Sequence, residues 1–363
     1  MKVIFINSIA KKKFGGGEKW MVTAAKGLSE KGHKVIVSGK VNSKFIEAAQ
    51  EKNLQIQHFN IRGDFSLLNT IKIGHFLKQE NIDVLICNLN KDVRVAGLAA
   101  RFVDNTITLA RHGVHLSGKK WKHKITLTRL VDGIITNTES IKNIYNSYGW
   151  FKDNFVQVIY NGIEDKSYVK PFDFSTQYPG KKIIFSAGRL AEQKGFPYLI
   201  EAAALLKDKR NDLVFIIAGQ GRLENQLKRM VTKLKLNESF LFLGFIKDID
   251  SYIKGCTLFV LPSLFEGMPN VIMEAMALGK AVIAADVNGV NELMEEGKTG
   301  RIIPPKDSEI LAETINELID NTELLKEFGK NGLERVTKHF TIPIMISNLE
   351  SYLLAKINEK RNN

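Results

Sequence analysis

Hydrophobic positions along the chain fall in short β-branched runs separated by longer stretches of helical period. Lys2–Asn7 is such a run. A glycine-rich turn follows, and Glu18–Lys31 then sets Trp20, Ala24 and Leu28 on one helical face. Lys34–Ser38, Ile82–Cys87, Thr106–Ala110 and Gly133–Thr136 are further runs, with helical stretches between most of them. Alternation of this kind predicts a parallel sheet covered by helices. A turn-rich stretch near 161–180 interrupts the pattern, which then restarts with strand Lys182–Ala187, helix Phe196–Lys207, strand Leu213–Ala218 and helix Arg222–Lys235. Strands Phe240–Leu243 and Thr257–Leu261, a helix near Pro269–Leu278 and strand Ala281–Ala284 continue it. The prediction is α/β, with two Rossmann-like doubly wound domains at 1–165 and 180–341. The helical stretch at about 342–360 is expected to pack back onto the first domain. Ligands of such sheets bind beyond the carboxyl ends of the strands, so the loops there are where chemistry belongs.

A length of 363 residues, 44% hydrophobic and 25% charged, suits two globular domains. No apolar run approaches the ~18 residues of a membrane span, and Met1–Ile6 has neither the apolar core nor the cleavage site of a signal peptide. Cys87 and Cys256 lie far apart in apolar stretches, so neither a disulfide framework nor a cysteine metal site is expected, and a cytoplasmic location fits. Charge alters the picture. Of 52 basic and 39 acidic side chains, residues 1–170 hold 27 and 14, leaving 25 of each in residues 171–363. The whole excess of +13 therefore lies in the first domain, densest at Lys11–Lys13 and at Lys119, Lys120, Lys122 and Lys124 around Trp121. An acidic partner follows: nucleic acid, an anionic membrane surface or an anionic acceptor. Nucleic acid is disfavoured, because no helix-turn-helix, zinc-finger or RNP-like pattern is present. A solvated lysine face with no partner is the plain alternative.

Three motif look-alikes fail. Gly297-Lys298-Thr299 ends like a P-loop, but Glu292 stands where its first glycine belongs. Gly219-Gln220-Gly221 opens like a dinucleotide fingerprint and lacks the third glycine, which argues against an NAD-dependent oxidoreductase, although two glycines still permit close backbone approach to a nucleotide. Asp248-Ile249-Asp250 could hold a divalent cation, but it precedes a helical segment and reads better as a helix N-cap. No His, Cys or carboxylate cluster has metal-ligand spacing.

Four segments survive. Phe14-Gly15-Gly16-Gly17-Glu18 follows the first strand, and its backbone amides can approach an anion at a helix start. Arg189 and Lys194 share the first strand–loop of the second domain, where two cations could neutralise a diphosphate. Glu266-Gly267-Met268-Pro269-Asn270-Val271 places Pro269 at the first helical position, which would aim the amides of Met268–Val271 at a phosphate. Glu266 falls in that loop and Glu274 a turn and a half into the helix, framing the sugar and ribose ends of a ligand. The fourth is Arg111-His112-Gly113, read as a loop after the strand Thr106–Ala110.

Glu266 and Glu274, seven residues apart between them, resemble the E-x7-E signature of retaining GT-B glycosyltransferases of family 4. Gly188-Arg189-Leu190, Lys194-Gly195, Asn161-Gly162-Ile163-Glu164, Gly219-Gln220-Gly221, Pro262-Ser263 and Gly289-Val290-Asn291-Glu292 support it in order along most of the second domain. The first domain matches at Gly15–Glu18, around His112 and at Asn161-Gly162. Glu164 stands where Asp is common, and Asn288-Gly289 replaces a frequent Gly-Gly. His115 leaves two histidines for one role.

The resemblance implies two domains facing each other across a cleft, the second holding a nucleotide-diphosphate sugar (UDP-sugar favoured) and the first an acceptor. Arg189 and Lys194 would bind the diphosphate with help from Gly16 and Gly17. Glu274 would bond the ribose, and Glu266 with Gly267–Val271 would grip the sugar and α-phosphate. Gly219, Gly221 and Phe245 would wall the base, and His112 would touch the sugar near the reacting carbon. It implies transfer with retention and with no metal or other cofactor, onto a cell-envelope glycan or lipid-linked acceptor. It also implies peripheral docking of the basic domain on the inner face of the membrane. A sugar-nucleotide epimerase or hydrolase of the same fold is the alternative, as is a non-catalytic envelope-assembly protein.

Overall fold

The computed structural model describes residues 1–362 apart from His115 and Ser117. Its contacts divide it into two compact units, Met1–Gly162 together with the terminal helix Ile342–Asn362, and Ile163–Thr341.

In the first unit, β1 (Lys2–Asn7), β2 (Lys34–Gly39), β3 (Gln55–His58), β4 (Val84–Cys87), β5 (Ile107–His112), β6 (Gly133–Thr136) and β7 (Val156–Val158) form one parallel sheet, ordered β3-β2-β1-β4-β5-β6-β7. Val3 on β1 pairs with Val35 on one side and Val84 on the other. The central strands are buried on both faces, which is why they read as unbroken apolar runs rather than alternating ones. The edge strands β3 and β7 escape the pattern, since Gln55–His58 is largely polar and Val156–Val158 only three residues long. The helices that matter below are α1 (Gly16–Glu30), α2 (Leu67–Gln79), α3 (Trp121–Arg129) and α4 (Glu139–Asn146).

The terminal helix lies against α1. It buries Met345, Ile346, Leu349, Leu353 and Ile357 in the same core as Trp20 and Leu28; each such side chain contributes about 2 kcal/mol. Gly27 makes the approach possible, because a Cβ there would come within 2.4 Å of Ile346. Glu350 bonds both Lys31 (2.5 Å) and His33 (2.6 Å), and Lys360 donates to the Thr106 carbonyl (2.6 Å).

The second unit repeats the plan. β8 (Lys182–Ala187), β9 (Leu213–Ala218), β10 (Phe240–Gly244), β11 (Leu258–Leu261), β12 (Val282–Ala285) and β13 (Gly300–Ile303) run parallel in the order β10-β9-β8-β11-β12-β13. Helices α5 (Phe196–Leu206) and α6 (Asn270–Ala277) follow the two central strands. In both sheets the winding reverses beside the first strand, between β1 and β4 and between β8 and β11. Loops leaving those strands diverge and open a crevice, the usual ligand position in this architecture.

Candidate active site

In the first unit the crevice is floored by a buried polar network. Gly15 caps α1, so Gly16 and Gly17 are its first two helical residues rather than a free loop. Glu18 turns its carboxylate inward: Oε1 accepts from Asn7 Nδ2 (2.9 Å) and Asn88 Nδ2 (3.3 Å), and Oε2 from the Gly15 amide (2.9 Å). Arg111 lies beneath, 4.9 Å from the Trp20 ring, with Nη1 3.2 Å from where a Gly17 Cβ would stand. A Cβ there would press on the movable end of the guanidinium. Burial pulls Arg111 down to about 10, against the opposing charge of Glu18. Next to this network, Asp92 accepts from the Ser8 amide (3.0 Å) and bonds the Ser8 hydroxyl; complete burial raises its pKa to about 6.

His112 is not in a loop. It is the last residue of β5 and pairs with Thr136 of β6, 7% exposed. Arg111 and His112 disguise the strand's end because charged and polar residues seldom finish a buried run. His112 Nδ1 lies 2.6 Å from the Tyr145 hydroxyl, while Nε2 has no hydrogen-bond partner among the described residues. Burial, then Arg111 and His123, lower its pKa to about 4, so the ring is neutral near pH 7. His115, its rival for the role, lies outside the described residues.

In the second unit, Lys194 and Glu266 are in direct contact. Lys194 Nζ donates to Glu266 Oε1 at 2.6 Å, and the Ser263 hydroxyl donates to the same oxygen at 2.6 Å. Glu266 is buried, so the pair is largely shielded from water. Two loops are thereby clamped together, with Leu264 N–H on the Gln193 carbonyl (2.8 Å) and Gln193 Nε2 on the Phe265 carbonyl (2.8 Å) completing the clamp. Gly195 makes this contact possible: at φ +62°, a Cβ would fall 1.9 Å from the Pro262 carbonyl. Arg189, on the same β8 loop, is exposed.

Pro269 occupies the cap of α6, not its first helical position; its carbonyl takes the bonds from Ile272 (3.0 Å) and Met273 (3.4 Å). Gly267 and Met268 are buried, whereas Asn270 and Val271 are half-buried at the helix start. Glu274 is half-buried on α6 beside Lys166. Although burial pulls Lys166 down, Asp250 and Glu274 hold it above its usual value, Asp250 through a direct bond. Asp248 does take the cap position of the helix Ile249–Gly255, but its carboxylate bonds the Ser251 hydroxyl (2.5 Å) instead of a backbone amide.

Gly219 and Gly221 do serve a close backbone approach, but to the chain itself. A Cβ on Gly219 would meet the Gly188 carbonyl at 1.9 Å, and one on Gly221 the Leu190 carbonyl at 2.2 Å. They brace the turn that carries Arg189. Phe245, just past β10, is exposed. Sequence reasoning missed Ser263, Arg111 and Tyr145. Ser263 gave a signal through its place in the Pro262–Ala275 string and Arg111 through Arg111-His112-Gly113, whereas Tyr145 gave none.

Two parallel α/β units in series, each with a polar cluster at its switch point, have the GT-B layout. Residues 14–167 match the family model described as Glycosyltransferase Family 4, and residues 170–335 match that described as Glycosyl transferases group 1. An alpha-D-kanosaminyltransferase of Streptomyces kanamyceticus is 37% identical over 154 residues, covering 42% of this chain and 40% of that protein. A UDP-Gal:alpha-D-GlcNAc-diphosphoundecaprenol alpha-1,3-galactosyltransferase of Escherichia coli is 26% identical over 80% of each chain. The crystal structure of Anabaena HepE in complex with UDP-glucose superposes with a TM-score of 0.85 at 23% identity, covering 98% of this chain and all of that one. The chain belongs to the glycosyltransferases of GT-B fold.

Proposed function

We propose that the protein transfers a hexosyl or related sugar from a nucleotide-diphosphate sugar, a UDP-sugar by preference, to a cell-envelope glycan or lipid-linked acceptor. Transfer proceeds with retention and without a metal ion. The observation that carries this is the shielded Lys194–Glu266–Ser263 cluster at the β8/β11 switch point, with Glu274 on the following helix. Lys194 and Arg189 supply charge for a departing diphosphate where no metal does, and loss of either costs on the order of 10²–10³ in rate. Glu266, held by two donors, takes the sugar hydroxyls, and Glu274 takes the ribose. In the first unit, His112 meets the sugar and the α1 start meets the diphosphate. The acceptor's proton leaves with the diphosphate. The UDP-glucose complex of HepE and the lipid-linked substrate named for the E. coli relative support the donor and acceptor classes.

The membrane surface belongs to the same proposal. On α3, Trp121 (76% exposed) and Ile125 stand out beside Lys124, with Lys119, Lys120 and Lys122 around them, whereas Leu127 is buried and Leu130 leans on the core. Phe65, Leu67, Leu68 and Ile71 at the start of α2 are also exposed. The two stretches are neighbours, since His123 feels both Asp64 and Arg94, which pair at 2.5 Å. Apolar side chains ringed by lysines suit an anionic bilayer, each lysine contributing about 1 kcal/mol. No helix among the described residues is long and apolar enough to cross a membrane.

Thermal-shift binding of UDP, GDP, ADP and NAD in EDTA tests the donor reading. Stabilisation by one nucleoside diphosphate is expected, and stabilisation by NAD alone overturns it. Vesicles with and without anionic lipid test the surface; equal sedimentation with both overturns it.

A further inference from the structure

We infer that Tyr145 is a positioning residue that fixes His112 as the tautomer carrying its proton on Nε2, so that the imidazole meets its ligand as a neutral hydrogen-bond donor. The inference comes from counting protons around one buried oxygen. Tyr145 is fully buried on α4, whose first turn is capped by Thr138 Oγ1 accepting from the Ile141 amide at 3.2 Å. Its ring is flanked edge-on by Tyr148 and Phe151, with centroids 5.7 and 6.1 Å away. Against His112 the rings are near parallel at 5.7 Å. The phenol therefore has a fixed place.

Its hydroxyl has two polar neighbours among the described residues: the backbone amide of Leu116, which can only donate, and His112 Nδ1 at 2.6 Å. A phenol oxygen accepts readily and has one hydrogen to give. With the Leu116 amide donating to the oxygen, that hydrogen has one described acceptor left, Nδ1. If Nδ1 were protonated instead, two donors would converge on the oxygen and the phenol's hydrogen would be buried without a partner, a cost of about 1–3 kcal/mol. Nδ1 is thus the acceptor, and the proton of the neutral ring sits on Nε2. That nitrogen is buried and has no partner among the described residues. Burial and Arg111 keep the ring from taking a second proton.

The chemical consequence rests on the reading that His112 faces the donor sugar. An Nε2–H can stabilise a sugar oxygen, but it has no lone pair with which to deprotonate an acceptor. In this state His112 cannot be the general base, and the acceptor's proton must go to another group.

The test reads the tautomer directly and needs no donor. Long-range ¹H–¹⁵N spectra of histidine-labelled protein, assigned with His112→Gln, should show a pyridine-type Nδ1 and a pyrrole-type Nε2. The reverse pattern overturns the inference. In Tyr145→Phe the two nitrogens should move towards averaged shifts as the tautomer is released; an unchanged pattern in the folded variant overturns the role of Tyr145. Should that variant not fold, fluorotyrosine incorporation makes the hydroxyls stronger donors and should move the Nδ1 resonance, and a fixed resonance overturns it. If the tautomer is as inferred but UDP-glucose and other UDP-sugars leave Nε2 undisturbed, the positioning stands and the placement of His112 on the donor fails.

Discussion

The two units share one scaffold and one ligand position but fill it differently. At the β1/β4 switch point, the charged groups Glu18 and Arg111 are buried as flooring beside the α1 amides and His112, while the cations Lys11–Lys13 lie exposed on the β1 loop and Lys91 Nζ bonds the Ser8 carbonyl (3.0 Å). At the β8/β11 switch point, Lys194 and Glu266 are themselves the candidate groups, with exposed Arg189 beside them. The glycines divide in the same way. Gly195 and Gly219 press on backbone carbonyls, whereas Gly17 yields space to a side chain. One unit buries its carboxylate and guanidinium beneath the crevice, the other keeps a shielded lysine–glutamate pair as its candidate groups. Under the proposed function, in which the leaving group is an anion, Lys194 and Arg189 are the cations assigned to it.

The strongest way to break this comparison is a single methyl group on each side. Gly195→Ala combines a left-handed φ with a clash against the Pro262 carbonyl, and should cost about 3 kcal/mol or more. Hydrogen exchange should show the loss confined to the second unit. Gly17→Ala presses on the movable Arg111 side chain and touches Asn88 at ordinary contact distance, and denaturant melts should place it within about 1 kcal/mol of the parent.

Next comes the shielded pair. Lys194→Ala and Glu266→Ala should each slow transfer by about 10²–10³, yet the double variant should be little slower than either single one. Additive losses in a double-mutant cycle would mean that the pair is not one unit. Glu274→Ala should weaken UDP itself, whereas Glu266→Ala should spare UDP and weaken the UDP-sugar; calorimetry with both ligands separates them.

Arg111→Met probes the first unit. It removes a charge that helps to keep His112 deprotonated, so an NMR titration should find the ring's pKa above the parent's value of about 4.

The smallest effect is a slope. His112 has a folded pKa of about 4 against an ordinary 6.5, so the unfolded chain binds more protons in that window and stability rises with pH. Asp92 has the opposite sign. Its folded value of about 6 lies above the ordinary 3.8, so its contribution is present at low pH and is lost as pH rises through about 6. The two oppose each other between about pH 4 and 6. His112→Gln should expose the fall and Asp92→Asn steepen the rise, each by up to one proton in melts across that range.

The same asymmetry explains what the sequence made legible. In the second unit each cluster comes from a contiguous string, Ser186–Gly195 or Pro262–Ala275, so the loops and their roles could be proposed together. That Lys194 would bond Glu266 was not visible, because the two strings meet only once β8 and β11 pair. In the first unit the partners come from five separate places: Asn7, Glu18, Asn88, Arg111 and Tyr145. A tyrosine on a helical apolar face looks like core, and most of Tyr145 is core; only its oxygen is not. Alternating strand and helix made the sheets legible, while their polar or very short edges were not.

The chain enters the second unit at Ile163 and leaves it at Thr341, and these two residues bridge each other, with the Ile163 amide on the Phe340 carbonyl (2.8 Å). The second unit is therefore an insertion, and the first lacks five core side chains until the terminal helix arrives. During synthesis at about 5–20 residues per second, on the order of ten seconds or more separate the first unit's main segment from the helix that completes it. Until then the α1 face that this helix covers lacks its partner, whereas the core of the later-made unit draws on one continuous segment.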